Sequence, residues 1–299
     1  MITGLLALTL GTFSIVAADP ATGEVGVAVQ SKFPAVGAIV PAARAGVGAV
    51  ATQALANVAW RDEALAALAK GEHPKRVLKR LAAKDRQAQD RQIGLVDVRG
   101  RAAAFTGARC FDHASHFVGD GFAAQGNILA SRAVVEALAS AYADASRAKK
   151  PLAERLLVAL EAAQRAGGDR RGMESAALLV VKPGGGYGGT GDAVVDLRVD
   201  DAKDPIAELR RLYFDVHQYY FGPTVELVHV DERLASELQQ SLARLGYYRG
   251  PSTGTFDAAT RQALVDWQGW ENLENREARG ANVDALVLQH LRRQAAEKR

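Results

Sequence analysis

The 299-residue chain is short of several things, and each shortage removes a class of protein. Cys110 is its one cysteine, so no internal disulfide can form and stability rests on packing, in a reducing or an oxidising compartment alike. No run of about 18 apolar residues exists, which excludes a bilayer-spanning helix. Charge of one sign is lacking too. Lys plus Arg total 37 against 34 Asp plus Glu, leaving +3, so the pI near 9.0 reflects near balance and gives no sign of a nucleic-acid partner. Residues 1–11 are apolar but lack the positive stretch and the A-x-A site of a secretory leader, which favours the cytoplasm over the periplasm or secretion. No Gly-x-Ser-x-Gly elbow occurs. Asp112, His113 and His116 have no companions at metal-ligand spacing, and no motif calls for a cofactor or a metal.

What is present is globular. Hydrophobic residues make up 48% and charged residues 24%, and at about 150 residues per domain the length predicts two domains. Residues 12–17 and 24–31 read as strands around the Asp19-Pro20 turn, and residues 37–41 and 46–53 as a second, Gly/Ala-rich pair that permits close backbone approach. Residues 60–83 read as two helices broken at Gly71 and Pro74, and residues 93–98 and 101–106 as strands about Arg99-Gly100. Two Ala/Leu-rich helices follow over 131–166, with Pro151 at a first helical position and Gly167-Gly168 as the stop. Strands return at 175–182 and 193–199. The glycine run at 184–191 between them lacks the Gly-Lys-Ser/Thr and the following helix of a phosphate loop, so it reads as a hairpin loop. A helix starts after Asp204-Pro205. Hairpin-linked strands with segregated helix pairs predict an α+β domain of antiparallel sheets covered by helices.

One residue carries a chemical suggestion of its own. A threonine serves as a nucleophile without a histidine when its α-amine is free, because an amine of pKa about 8 can take the hydroxyl proton. Thr12 follows Gly11 at the start of a strand, a junction open to attack by the hydroxyl on the preceding carbonyl. On the residues alone the plainer reading prevails, that Thr12 is a β-branched strand former.

Residues 12–29, the stretch 40–53, Phe122 to Leu129, the Gly-Gly-Asp-Arg-Arg-Gly run at 167–172 with Ser175-Ala176-Ala177, and Val195 to Asp201 together resemble the bacterial family catalogued as domain of unknown function 1028. The resemblance covers residues 12–220. It implies the N-terminal nucleophile hydrolase fold, a four-layer αββα sandwich, and with it an amide-bond hydrolase acting on a small amide or peptide. On that resemblance Thr12 would be the nucleophile, Arg44 would stabilise charge and lower the amine pKa, and Asn127 would donate to the oxyanion. Gln30, Ser31 and Gln53 would line the pocket, and Asp169 would orient Arg170 or the site. This chain departs from the family in carrying eleven residues ahead of the threonine, with Ile2 too large for methionine trimming to begin exposing it. Residues 1–11 then read as an extension or propeptide, and catalysis requires cleavage at Gly11-Thr12. The alternative is a non-catalytic, envelope-associated binding or assembly protein on the same fold.

A composition shift at 219–223 marks a linker, giving a first domain over 12–222 and a second over 226–299. In the second, Leu238-Gln239, Leu242, Leu245-Gly246-Tyr247, Gly250, Gly254, Phe256, Thr260, Ala263 and Trp267-Gln268 resemble the small three-helix peptidoglycan-binding domain, with Thr253 where an acidic residue is usual. Asp257 reads as a helix cap. The resemblance implies either peptidoglycan as a partner, with Trp267, Trp270 and Tyr247 as stacking candidates, or a packing module that supports a homo-oligomer.

Overall fold

A computed structural model describes residues 11–224, 226–276, 278 and 280–298, so all but the last residue of the expected propeptide lies outside the described residues. The chain forms two compact units that divide between Tyr213 and Phe214. In the first unit the elements run β1 (Thr12–Asp19), β2 (Glu24–Ser31), α1 (Val36–Ile39), β3 (Pro41–Arg44), β4 (Gly48–Ala54), α2 (Ala59–Ala69), α3 (Pro74–Lys84), β5 (Arg91–Asp97), β6 (Ala102–Thr106), β7 (Ser115–Gly119), β8 (Phe122–Asn127), α4 (Ala133–Arg147), α5 (Leu152–Arg165), β9 (Ser175–Val181), β10 (Ala193–Val199) and α6 (Pro205–Arg211).

It is a mixed α+β unit. Six strands pair antiparallel in the order β10-β9-β2-β1-β8-β7, and four more in the order β3-β4-β5-β6. All eight residues of β1 are buried, because the strand lies inside its sheet and both faces of that sheet are covered. Side chains alternate along a strand, so each face has its own composition. Val16, Ala18, Val25, Val27 and Val29 form one core with Ala49, Ala51 and Val96 of the four-stranded sheet, fixing the two sheets face to face. The far face of the six-stranded sheet packs on α4 and α5. Val50, Ile93, Leu95 and Ala103, on the far face of the four-stranded sheet, pack on Trp60, Leu65 and Leu68 of α2 and on Val77, Leu78 and Leu81 of α3. Pro74 opens α3 at a position that needs no amide donor, behind His73, whose Nδ1 accepts from the Lys75 amide at 3.2 Å.

Three local expectations need correction. Residues 37–39, expected as part of a strand, lie in the helical turn α1. Gly37 there lies so near β9 that a Cβ would sit 2.8 Å from the Ala177 Cβ, so the close approach it permits is to a neighbouring strand. Pro151 caps α5 and does not begin it. The sequence pattern gives no strand signal at 115–119, where the structure forms β7, because this is an exposed edge strand without alternation, with Phe117 and Val118 both open to solvent.

The second unit continues with α7 (Gln218–Phe221), β11 (Leu227–His229), α8 (Glu232–Leu245), α9 (Ala258–Trp270), β12 (Asn282–Asp284) and α10 (Ala285–Glu297). Its boundary precedes the aromatic segment read as the linker because Tyr219 and Tyr220 pack on this unit's own core, around Leu238, Leu242, Leu264, Trp267, Val287 and Leu291. Asp231, Asp257 and Asp284 each cap a helix, accepting from Leu234, Thr260 and Leu286 amides at 2.8 Å. Among the described residues no helix is long and apolar enough to cross a membrane.

Candidate functional site

At one end of the inter-sheet space the apolar core gives way to polar side chains. Thr12, Ser14, Ser31, Gln53, Gln92 and Gln125 are fully buried, and Asn127 is 1% exposed. A buried polar atom left unpaired costs about 1–3 kcal/mol, and these side chains are held largely by one another. Ser14 Oγ donates to Gln53 Oε1 (2.6 Å) and accepts from Gln125 Nε2 (2.7 Å). Gln53 Nε2 donates to Gln92 Oε1 (2.8 Å) and to the Thr12 carbonyl (3.2 Å). Gln92 Oε1 also accepts from Asn127 Nδ2 (3.1 Å), while Gln92 Nε2 reaches the Gly126 carbonyl (2.9 Å) and Thr106 Oγ1 (2.9 Å). Gly94 makes room for this cluster, since a Cβ there would lie 2.2 Å from Gln125 Oε1.

Thr12 begins β1 and pairs in register with Ser31 on one side and Asn127 on the other. Its Oγ1 donates to Ser31 Oγ at 3.0 Å, and Ser31 Oγ donates to the Gly11 carbonyl at 2.5 Å. A second donor reaches the same carbonyl: Arg171 Nη2, at 2.9 Å. Arg171 is aimed by Asp169, whose Oδ1 accepts from Arg171 Nε (3.1 Å) and whose Oδ2 accepts from Nη2 (2.7 Å). That carboxylate is fully buried and also accepts from the backbone amides of Arg171 (2.9 Å) and Lys32 (3.2 Å), so its position is fixed independently of the guanidinium. The glycines of the 167–172 turn make this possible. Gly167, Gly168 and Gly172 all have positive φ, and Asp169 pairs with Leu129 just beyond β8.

Thr12, Ser31, Gln53, Asn127 and Asp169 are thus brought together around the Gly11-Thr12 bond. Arg44 is not among them. It lies exposed at the end of β3 opposite Gly48, five residues along β4 from Gln53, on the order of 17 Å at strand rise. Nor is Gln30, which neighbours Ser31 in sequence and for that reason points to the other face of the sheet, toward the helices, with neither amide atom hydrogen-bonded. Asn127 donates into the glutamine cluster, whereas the donors on the Gly11 carbonyl are Ser31 and Arg171. Asp169 orients Arg171 and not Arg170, whose backbone amide donates to the Ile128 carbonyl. Sequence reasoning missed Arg171 as a site residue, although the turn that carries it had been singled out. Cys110 Sγ donates to the Arg91 carbonyl at 3.3 Å, and burial pushes its thiol pKa up, which weakens it as a nucleophile. Among the described residues no group of three His, Cys, Asp or Glu side chains is placed to hold a metal ion.

In the second unit, Gln239 organises the 253–255 turn. Its Oε1 accepts from the Gly254 amide (3.1 Å), and its Nε2 donates to the Thr255 carbonyl (2.9 Å) and Thr253 Oγ1 (3.1 Å). Trp267 is fully buried and is core, while Trp270 is 76% exposed.

Fold and site together define a mixed α+β protein in which a threonine opens an inner strand and the carbonyl before it is clamped by a hydroxyl and a guanidinium. The chain belongs to the DUF1028 family, described as a family of unknown function, whose model matches residues 12–209. A model described as "Putative peptidoglycan binding domain" matches residues 222–291. The chain is similar to the crystal structure of protein SPO2555 from Silicibacter pomeroyi, also assigned to DUF1028, at 32% identity and a TM-score of 0.63, covering 72% of this chain and 91% of that one. No curated protein matches it.

Proposed function

We propose that the chain is an amide-bond hydrolase of the N-terminal nucleophile type, with the two facing sheets and their outer helices as that fold's four layers and Thr12 as the nucleophile once residues 1–11 are removed. The observation that carries this reading is the Gly11 carbonyl: it accepts from Ser31 Oγ and Arg171 Nη2 while Thr12 Oγ1, bonded to Ser31, stands beside it. Two donors on a carbonyl oxygen polarise it and stabilise the negative charge that develops under attack. Cleavage would free the Thr12 α-amine to act as the base in turnover, and the cationic Arg171 nearby favours its neutral form. The glutamine cluster holds the Thr12 backbone in place, and the substrate is a small amide or short peptide.

The test is the intact mass of the purified chain, followed by Thr12→Ala. A chain beginning at Thr12, and an alanine variant that keeps residues 1–11, folds and shows no amidase turnover, are the expected results. Turnover by a chain that still carries Met1 refutes the reading. The full burial of Thr12 supports a second reading, a non-catalytic envelope-associated binding protein in which this network is structural. Under either reading the second unit is an anchor for peptidoglycan with exposed Trp270 as the stacking surface. Such a partner would put the chain outside the cytoplasm, against the expectation from its first residues, and cell fractionation decides that point.

A further inference from the structure

We propose that this site takes amides whose acyl carbon next to the carbonyl carries no L side chain, glycyl or straight-chain acyl groups, and that Arg171 is the residue that enforces this. The inference rests on the N-terminal nucleophile reading and adds a substrate class to it. Gly11 is the acyl group that Thr12 Oγ faces in the uncut chain. The same hydroxyl and the same carbonyl donors would serve in cleavage and in turnover, so the space around Gly11 is the space open to the acyl part of a substrate.

That space is closed on one side. A Cβ built on Gly11 would lie 2.5 Å from Arg171 Nη2 and 2.9 Å from both Cζ and Nε, inside van der Waals contact with the guanidinium. An arginine tip is usually free to swing aside, but this one is not. It is forked on Asp169, a buried carboxylate that two backbone amides hold in place, and its Nη2 also reaches the Gly11 oxygen. Moving it to admit a side chain breaks the fork and withdraws the donor from the carbonyl. A branched acyl group is therefore either excluded or left without part of its polarisation, and both outcomes slow acylation.

The step balances without a cofactor. Thr12 Oγ adds to the Gly11 carbonyl carbon and a C–O bond forms. The C–N bond to the Thr12 nitrogen breaks, and the hydroxyl proton ends on that nitrogen, leaving an ester and a free α-amine. Water then cleaves the ester, releasing the Gly11 carboxylate and restoring the hydroxyl. In turnover the substrate's amine leaves in place of the Thr12 nitrogen.

The experiment follows cleavage of the full chain by intact mass after pulse synthesis, for wild type, Gly11→Ala, Arg171→Ala and the double variant, with thermal melting as the folding control. Gly11→Ala should still fold, melting lower than wild type because the fork gives way, and be cut at least about tenfold more slowly. Arg171→Ala should also slow cutting, and adding Gly11→Ala to it should slow it no further, because the obstruction has gone. Processed wild type should hydrolyse glycyl p-nitroanilide at a kcat/KM at least about tenfold above that for L-alanyl p-nitroanilide, and Arg171→Ala should narrow that ratio. A wild-type chain that is cut while Gly11→Ala is cut as fast overturns this inference and leaves the hydrolase reading standing. A wild-type chain that stays whole overturns both.

Discussion

Replacing Asp169 with asparagine tests the clamp without touching either group on the carbonyl. The Asp169 side chain accepts four hydrogen bonds, from Arg171 Nε and Nη2 and from the backbone amides of Arg171 and Lys32. An amide has one oxygen, so Asp169→Asn turns an NH2 toward two of these donors whichever way it is flipped. Each hydrogen bond to a charged group contributes about 1.5–3 kcal/mol, and removing one partner of a fully buried ion pair costs about 3–5 kcal/mol. The Arg171 side chain is 37% exposed, so water recovers part of its share. A net loss of about 2–3 kcal/mol follows, which for a unit of this size lowers the melting temperature by about 5–10 °C. The chemical effect is separate. Losing an oxyanion donor outright costs about 100- to 1000-fold, and an unforked guanidinium still samples its position, so cutting at Gly11-Thr12 should slow by about 10- to 100-fold. Differential scanning fluorimetry and intact mass against time read the two effects independently. An asparagine variant that melts lower but is cut at the wild-type rate would show that the fork is structural and that the carbonyl clamp does no chemistry.

Gly94→Ala should destabilise the first unit by about 1–3 kcal/mol in a denaturant titration, because its Cβ would overlap Gln125 Oε1 in a space that is already full. Trp267→Ala should cost the second unit about 3–5 kcal/mol, enough to unfold much of it, as followed by tryptophan fluorescence and near-UV circular dichroism. Trp270→Ala should leave melting unchanged and abolish cosedimentation of the full chain with purified peptidoglycan in about 0.3 M salt, where charge-driven association is screened. Cys110 should react with iodoacetamide at pH 7–8 more slowly than free cysteine, because a raised thiol pKa leaves less thiolate at that pH. Equal rates would contradict the burial of its sulfur.

Much of the architecture was legible because its signals are local. Gly71 and Pro74 separate α2 from α3, Asp204 with Pro205 opens α6, and Asp257 caps α9. Strand β7 was not legible, since an exposed edge strand needs no alternation and Phe117 beside Val118 shows none. For the site, the sequence indicates which residues sit near Thr12 only through motif likeness, and motif likeness carries no direction. Gln30 and Ser31 are adjacent in sequence and face opposite sides of the sheet. Arg44 shares a hairpin with Gln53 yet stands at its far end. Arg171 reaches Gly11 across 160 positions of sequence, through a turn whose glycines permit the fold-back, and only the three-dimensional path reveals it.

Because β1 has partners along both edges from its first residue, Thr12 opposite Ser31 and opposite Asn127, breaking the chain at residue 11 would create an unusual kind of chain end. Ends ordinarily fray, since the last few residues have lost half their neighbours and regain conformational freedom at little cost. An amine born at Thr12 would instead be clasped from both sides by a ladder several residues deep, and its direction would be set by strands laid down before the cut. Amide exchange in the first residues of the trimmed chain would then be as slow as in the middle of the sheet, an inversion of the usual gradient from core to terminus.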